Sequence, residues 1–188
     1  NGNVGTLPPI TNKEITYPSG FRISGDRSPN HHGMNDVCPS TVEDLASAIE
    51  RNDIRFLYLL DDGIDRELDE LWKGLLEKID FVVVQSYAMT DVAKCADIVL
   101  PGQAPFEREG TITNDRGRVQ WLKPSITPKG ESRSDWEIPM LIKSKYTGVE
   151  GLTDVSSVMN EIGKDFAAYS DITFFRLGDQ GLPLNGKA

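Results

Sequence analysis

The sequence has few of the residues that build metal centres and disulfide frameworks. Among its 188 residues are two cysteines and two histidines. Because no C-x-x-C pair is present, neither an iron–sulfur cluster nor a structural zinc site can be completed by this chain alone. Cys38 and Cys95 are far apart in sequence. Two free thiols in a reducing compartment are the simplest interpretation.

Positive charge and long apolar runs are also scarce. The chain has 20 lysines and arginines against 29 aspartates and glutamates, which gives a net charge of −9. This excess of negative charge argues against a nucleic-acid partner and against an anionic membrane surface. No apolar run approaches the roughly 20 residues that a membrane-spanning helix needs, and no secretory signal is visible. We therefore predict a cytoplasmic protein with no direct membrane insertion.

The first 39 residues are interrupted repeatedly by proline and glycine, and no regular period persists in them. We predict an irregular N-terminal segment over residues 1–39. Its glycine-rich start follows no strand, so a phosphate cradle there is disfavoured. His31, His32 and Cys38 provide three metal-binding side chains in one stretch but no obvious fourth ligand. A solvated loop is therefore favoured over a metal site.

From residue 40 onwards, helical and strand patterns alternate. Such alternation favours a parallel sheet with right-handed crossovers, and continuous apolar strands are typical of strands buried on both faces. We predict an α/β fold in which residues 40–102 form part of a doubly wound, Rossmann-like sheet. Three strands are few for that fold, and the chain does not begin with Met, which favours a part of a longer protein. The predicted helices cover 41–51, 65–79 and 89–96, and the predicted strands cover 54–60, 81–85 and 97–101.

Beyond Gly102 the alternation stops. Residues 103–188 are predicted to form a hairpin, loops and a helical extension that pack on the sheet. The hairpin turn is placed at 114–117, where Gly117 occupies the position that favours positive φ. Further helices are predicted within 134–145 and over 153–169, and a last strand is predicted over 172–177.

Polar residues follow the first two strands of the predicted sheet. In open α/β sheets, ligands bind beyond the carboxyl ends of the strands. A carboxylate there could accept hydrogen bonds from a ribose or a guanine edge. A polar loop that caps the next helix is the alternative. The candidate cofactor-binding residues are Asp61, Asp62, Gly63, Gln85, Ser86 and Thr90.

The segment FEREGTITNDRGRVQW, residues 106–121, is a charged and turn-rich stretch that follows the third predicted strand. Glu107 and Glu109 are two apart on an extended segment and so face the same way. A general acid–base pair or a hard cation could use such carboxylates. Neighbouring arginines, however, could form ion pairs with them. We predict a structural hairpin and no catalytic residue in this chain.

Residues 90–120 resemble the signature of the molybdopterin oxidoreductase superfamily, and Asp135 and Trp136 resemble the helix that commonly follows. The resemblance implies a nucleotide-binding α/β domain that holds a guanine dinucleotide arm of a molybdenum or tungsten bis-pterin cofactor. The metal ligand and the iron–sulfur cysteines would lie in other parts of the family chain. The matching residues are Thr90, Asp91, Ala93, Ala96, Asp97, Leu100, Pro101, Glu107, Gly110, Thr111, Asn114, Gly117, Arg118 and Gln120. Structural roles are predicted for Asp97, Pro101, Glu107, Gly110, Thr111, Asn114, Gly117, Arg118 and Gln120.

Departures from the family pattern favour one branch of the superfamily. Asp61-Asp62-Gly63 stands where a Gly-x-Asn-Pro loop is frequent, and Ser86 stands where a carboxylate is usual. The chain also ends too soon after Gln120 to include the large β-barrel of catalytic members. These points favour a scaffold portion of the large iron–sulfur subunit of respiratory complex I, the NADH–quinone oxidoreductase. That branch carries no cofactor in this region.

This interpretation implies iron–sulfur clusters elsewhere in the parent chain. It also implies contacts with the rest of that subunit and with other subunits of a redox complex, through which the protein would be peripheral to the inner membrane. The alternative is a fragment of a molybdenum or tungsten enzyme such as a formate dehydrogenase, with Asp61, Asp62, Gln85 and Ser86 holding guanine. A third possibility is an acidic α/β binding domain with no redox partner.

Overall fold

The structure is a computed structural model that describes residues 15–16, 18–19, 22–23, 30–37, 42–61, 63 and 70–184. The strands are β1 (Ile15–Thr16), β2 (Arg22–Ile23), β3 (Phe56–Leu60), β4 (Phe81–Ser86), β5 (Ile98–Pro101), β6 (Gly110–Thr113), β7 (Arg118–Leu122) and β8 (Leu182–Pro183). The helices are α1 (His31–Val37), α2 (Val42–Glu50), α3 (Glu70–Leu76), α4 (Asp91–Lys94), α5 (Glu137–Thr147), α6 (Val155–Asp165) and α7 (Phe174–Leu177), with a 3-10 turn at Ala167–Tyr169.

The chain divides into two units. Unit 1 contains Asn1–Leu45, Gly110–Leu122 and Val158–Ala188, and unit 2 contains Ala46–Glu109 and Lys123–Ser157. The predicted boundaries after residues 39 and 102 stay a prediction. Among the described residues, no helix is long and apolar enough to cross a membrane.

Unit 2 contains a three-stranded parallel sheet in the order β3-β4-β5, which confirms the predicted α/β class. The central strand β4 is buried from Val82 to Ser86. The prediction that the strands are buried on both faces is wrong for β3, where Phe56 is 57% exposed and Leu60 is 60% exposed, and for β5, where Ile98 is 45% exposed. Strand β3 pairs on one side only within the described part of the chain, so its apolar run reflects residue type rather than full burial.

The helices around this sheet follow the predicted pattern. Thr90 caps α4 because its hydroxyl accepts a hydrogen bond from the Ala93 amide at 3.1 Å. Helix α3 buries Leu75 and Leu76, whereas Leu71 is exposed. Residues 64–69, where this helix was predicted to begin, lie outside the described residues. Helix α5 ends at Gly148, which adopts the left-handed conformation at φ 70°.

Unit 1 contains an antiparallel sheet in the order β6-β7-β8. The predicted hairpin joins β6 to β7 and is confirmed. In its turn, Asn114 Oδ1 accepts from the amides of Arg116 and Arg118, both at 3.0 Å, and Gly117 has φ 69°. Gly110 is the first residue of β6.

The core of unit 1 forms between β7 and the C-terminal helices. Its buried members are Val119, Met159, Tyr169, Ile172, Leu177 and Leu184. The strand predicted over 172–177 is wrong, since α7 occupies most of it. A short apolar run does not by itself distinguish strand from helix. Here Thr173 decides the outcome, because its side chain accepts from the Arg176 amide and so caps a helix.

Helix α1 of unit 1 lies inside the segment that was predicted to be irregular. Helix α1 starts after Asn30, which has φ 62° and whose carbonyl accepts from the Met34 amide at 2.9 Å. Asn30 Oδ1 also accepts from the Thr113 amide of β6 at 2.8 Å. Because this short helix is anchored by a residue distant in sequence, local periodicity did not reveal it. Cys38 and the side chains of His31 and His32 lie outside the described residues.

Candidate functional site

The three parallel strands end together at one edge of the sheet in unit 2. The Asp61 amide, directly after β3, donates to the Gln85 carbonyl of β4 at 2.9 Å. The Gly102 amide, directly after β5, donates to the Ser86 carbonyl at 3.0 Å. We call this region the carboxyl edge and define it by Asp61, Gly63, Gln85, Ser86, Thr90 and Gly102. It brings together five of the six predicted cofactor-binding residues; Asp62 lies outside the described residues.

Asp61 is the available carboxylate of the carboxyl edge. Its Oδ2 accepts from the Thr90 hydroxyl at 2.6 Å, and its Oδ1 accepts from the Gly63 amide at 3.2 Å. Thr90 is buried, whereas Asp61 is partly exposed. An ionised carboxylate offers about four acceptor positions, and within the described residues these two contacts use two of them. Asp61 is therefore held in place, and the described residues leave acceptor positions on it for an external donor.

Gly63 and Tyr87 approach each other closely at the same edge. Gly63 has φ 69°, and a Cβ atom placed on it would lie 2.3 Å from Cε1 of the Tyr87 ring. The aromatic ring therefore packs against bare backbone. A residue with a side chain would strain the backbone and displace the ring, so the glycine is required by this contact.

Gln85 is enclosed in a polar cluster that the sequence did not reveal. Its Oε1 accepts from the Tyr58 hydroxyl, and its Nε2 donates to Asp135 Oδ1 at 2.9 Å and to the Asp135 carbonyl at 3.3 Å. Burial, followed by the negative charge of Asp135, raises the pKa of Tyr58 above its usual value. The Tyr58 hydroxyl therefore keeps its proton and remains a donor at neutral pH.

Arg108 completes the cluster. Its Nη1 pairs with Asp135 Oδ2, and both side chains are about three-quarters buried, with 25% and 22% exposed. Its Nε is shielded from solvent and has no hydrogen-bond partner in the described part of the chain. The ion pair with Asp135 is consequently the contact that orients this guanidinium.

The charged hairpin segment forms different contacts from those expected. An arginine was expected to pair with Glu107, but Arg108 pairs with Asp135, and Arg118 Nη1 donates to the carbonyls of Gln180 and Gly181 at 3.2 and 2.9 Å. Glu107 is buried, and its Oε2 accepts from the Ala104 amide at 3.0 Å. Glu107 and Glu109 both line an open groove with a volume of about 560 Å³.

Most other residues of the matching signature bond to the backbone or to each other. Asp97 Oδ2 accepts from the Val82 amide at 2.7 Å, and Pro101 ends β5. Thr111 lies against the Met159 sulfur at 3.9 Å, and Gln120 Oε1 accepts from the Asn114 side chain at 3.2 Å. These contacts support structural roles for Asp97, Pro101, Glu107, Gly110, Thr111, Asn114, Gly117, Arg118 and Gln120, which we retain as a proposal.

Arg118→Ala is expected to lower the free energy of unfolding of unit 1 by about 1–2 kcal/mol, because charged donors to two carbonyls are lost. The measurement is chemical denaturation followed by circular dichroism. Arg116→Ala, at the exposed turn of the same hairpin, is the control and should stay within about 0.5 kcal/mol of the unchanged protein. Equal losses for the two variants would show that the carbonyl contacts of Arg118 do not stabilise unit 1.

Across the described residues, no group of three or more histidine, cysteine, aspartate or glutamate side chains is arranged to hold a metal ion. The metal site considered for His31, His32 and Cys38 cannot be evaluated within these residues, because Cys38 and both histidine side chains fall outside them.

A parallel sheet with polar loops at its carboxyl edge is the arrangement of nucleotide-binding α/β domains. The family model for molybdopterin oxidoreductase matches residues 11–143. The chain therefore belongs to the molybdopterin oxidoreductase family.

Curated relatives and a solved structure agree with this family. The chain is 33% identical over 187 residues to the F420-dependent formate dehydrogenase subunit alpha of Methanocaldococcus jannaschii, covering 96% of this chain and 27% of that protein. It is 32% identical over 134 residues to the F420-dependent formate dehydrogenase 2 subunit alpha of Methanococcus maripaludis, covering 69% of this chain and 20% of that protein. It shares the fold of acetylene hydratase from Pelobacter acetylenicus with a TM-score of 0.55 and 15% identity, covering 81% of this chain and 23% of that one.

These relatives correct the predicted function. The complex I scaffold, and with it the NADH–quinone assignment, is wrong because the relatives along most of the chain are named formate dehydrogenases. The complex I interpretation also disfavoured a molybdopterin cofactor, and this expectation is wrong because the chain matches the molybdopterin oxidoreductase family. The missing carboxylate at Ser86 was overvalued, since Asp61 supplies a carboxylate at the same edge. The position of the chain's end is no evidence against a catalytic member of the family, because the chain spans only 27% and 20% of these two relatives.

Proposed function

We propose that this chain is part of a formate dehydrogenase in which its parallel sheet holds the guanine nucleotide end of a molybdopterin cofactor. The observation that carries the proposal is the 33% identity, over 96% of the chain, to a formate dehydrogenase alpha subunit. That relative is named as a subunit, so we further propose that the enzyme assembles with other redox subunits. Iron–sulfur clusters elsewhere in the parent enzyme stay a prediction.

The carboxyl edge fits a guanine nucleotide by the chemistry of its donor and acceptor groups. Guanine presents two neighbouring N–H donor groups on one edge, and a carboxylate accepts such a pair with both oxygens. Asp61 is partly exposed, and each of its oxygens makes a single contact within the part of the chain that the structure describes. Thr90 holds the carboxylate from the buried side, so the free acceptor positions are preorganised.

The other proposed contact residues shape the loops rather than provide charge. Gly63 lets the chain turn close to the Tyr87 ring. Ser86 Oγ accepts from the Ala88 amide at 3.2 Å and so stabilises the turn after β4. Asp62 precedes Gly63 and is retained as a proposed second acceptor. In the assembled enzyme the bound cofactor supplies the redox chemistry, and these residues bind and orient its nucleotide end.

Asp61→Asn in the full-length enzyme is expected to weaken nucleotide retention by about 10- to 100-fold. The amide would present donors to the guanine donors, and a hydrogen bond to a charged group contributes about 1.5–3 kcal/mol. The measurement is the guanine nucleotide released by acid hydrolysis per mole of purified enzyme, after dialysis.

The matched control is Asp53→Asn. Asp53 precedes β3 at its opposite end and forms an exposed ion pair with Arg51 at 2.9 Å. This variant should retain the full nucleotide content. If Asp61→Asn also retained it while circular dichroism showed an intact fold, the proposed nucleotide site would be refuted.

A further inference from the structure

We propose that Gln85 is a positioning residue that does not touch the nucleotide but holds Asp135, which in turn holds Arg108. This relay of Gln85, Asp135 and Arg108 fixes the segment after β5 and the segment before α5 beside the carboxyl edge. The inference rests on the proposed function only in naming the nucleotide as the ligand whose binding depends on this geometry.

The hydrogen bonds of Gln85 leave no donor for a ligand. Gln85 is 0% exposed. Its Nε2 donates to both Asp135 Oδ1 and the Asp135 carbonyl, and its Oε1 accepts from the Tyr58 hydroxyl. A ligand could reach this amide only by displacing Asp135. Gln85 therefore acts on any ligand at this edge through the residue that it holds.

The Asp135 side fixes the orientation of the Gln85 amide. Nε2 faces the Asp135 carboxylate and the Asp135 carbonyl, which can only accept, so this end of the amide must be the donor. Oε1 then faces Tyr58, whose hydroxyl donates to it. Burial and the charge of Asp135 raise the pKa of Tyr58, so that hydroxyl keeps its proton. Reversing the amide would place Oε1 against the Asp135 carboxylate, a mismatch that costs about 1–3 kcal/mol in a buried site.

Asp135 connects this fixed amide to the charged segment after β5. Its Oδ1 faces Gln85 and its Oδ2 pairs with Arg108. The space it occupies exists because Gly102 has no side chain: a Cβ there would lie 3.1 Å from Asp135 Oδ1 and 3.7 Å from Gln85 Cγ. The carboxylate is therefore confined between a buried amide, a glycine and a guanidinium.

A second set of contacts runs beside the relay and joins the same two segments. The Arg133 amide donates to the Pro101 carbonyl at 3.1 Å, and the Gln103 amide donates to the Arg133 carbonyl at 3.0 Å. The Ser134 hydroxyl donates to Gln103 Oε1 at 2.8 Å. The relay is the part of this connection that contacts the buried strand β4, through Gln85. The position of the segment 102–109 relative to the sheet therefore depends on the relay.

An exchange of the two polar groups tests the relay. Gln85→Glu places a carboxylate against the Asp135 carboxylate, and Asp135→Asn places an amide donor against either Gln85 or Arg108. The double variant Gln85→Glu/Asp135→Asn restores a donor facing an acceptor, because the new amide at 135 donates to the new carboxylate at 85. Its net charge equals that of the unchanged protein, and the Tyr58 hydroxyl still finds an acceptor.

The measurements are amide hydrogen exchange across 102–109 and guanine nucleotide content, both on the full-length enzyme. Each single variant should raise exchange in 102–109 at least 10-fold and lower nucleotide content, and the double variant should return both to within about threefold. If a single variant fails to fold, recovery of soluble, folded enzyme in the double variant provides the same evidence. A double variant no better than the worse single variant would overturn the relay.

Three further outcomes are informative. The first distinguishes a direct contact of Gln85 with the nucleotide from a positioning role, and the other two distinguish failure of the relay from failure of the proposed function. If Gln85 touched the nucleotide, the double variant would recover exchange protection but not nucleotide content, which would overturn its role as a positioning residue. If Asp61→Asn leaves nucleotide content unchanged while the double variant recovers exchange protection, the proposed function fails and the relay stands. If Asp61→Asn loses nucleotide and the double variant recovers nothing, the relay fails and the proposed function stands.

Discussion

Gly63→Ala is expected to lower the free energy of unfolding of unit 2 by about 2–3 kcal/mol and to reduce the guanine nucleotide content of the full-length enzyme. Gly63 has φ 69°, a conformation that costs a residue with a side chain about 1–2 kcal/mol. The new methyl group would also lie 2.3 Å from the Tyr87 ring. The ring must rotate towards solvent and lose apolar contact, and the Gly63 amide is pulled away from Asp61 Oδ1.

The matched control is Gly74→Ala in the middle of α3. Apart from its chain neighbours and the backbone of its own helix, no atom of the described residues lies within 4 Å of the Cβ position of Gly74. Alanine is preferred over glycine in a helix interior by about 0.5–1 kcal/mol, so this variant should be more stable than the unchanged protein. The measurement is chemical denaturation followed by circular dichroism. A stability change of the same sign for both variants would contradict the assigned role of Gly63.

The alternation of strands and helices in unit 2 could be predicted from sequence because local signals were strong there. Continuous apolar runs gave β3, β4 and β5, and Thr90 marked the start of α4. The hairpin was predictable for the same reason, since Asn114 and Gly117 carry the turn chemistry themselves. In each case the residues that determine the element lie within it or directly beside it.

The polar cluster at the carboxyl edge was not predictable, because its members are distant in sequence. Gln85 and Asp135 are separated by 50 positions, and Tyr58 precedes Gln85 by 27. The strand register supplies the missing information. Leu60 is paired with Gln85, and side chains alternate along a strand, so Tyr58 projects from the same face as Gln85. Knowledge of that register would have predicted that Tyr58 lies near Gln85.

The wrong functional prediction has a related physical cause. Ser86 was compared with one position of a family pattern, and the missing carboxylate was interpreted as a missing function. A site at the edge of a parallel sheet is assembled from several strands. Asp61 reaches the same edge from β3, where Thr90 holds it. The chemistry of the edge therefore depends on the set of side chains that meet there rather than on one position.

Gly181→Ala is expected to destabilise unit 1 by about 3 kcal/mol. Gly181 has φ 68°, and a Cβ there would lie 2.2 Å from the Val119 carbonyl oxygen. That oxygen belongs to the backbone of β7, whose Val119 is paired with Leu182 of β8. Unlike the Tyr87 ring, it cannot rotate away. Relief requires β8 to separate from β7, which would also disturb the Arg118 contact to the Gly181 carbonyl and the buried side chain of Leu184.

The control for this prediction separates backbone strain from collision. Gly148 has φ 70°, nearly the same as Gly181, but apart from its chain neighbours no atom of the described residues lies within 4 Å of its Cβ position. Gly148→Ala should therefore cost only the conformational strain of about 1–2 kcal/mol. Thermal unfolding of both variants measures the difference, and amide exchange locates it, with protection lost in β7 and β8 for Gly181→Ala. If the two variants lost equal stability and β7 kept its protection, the close approach of Gly181 to β7 would not stabilise the sheet, and the strain of a positive φ would account for the whole effect.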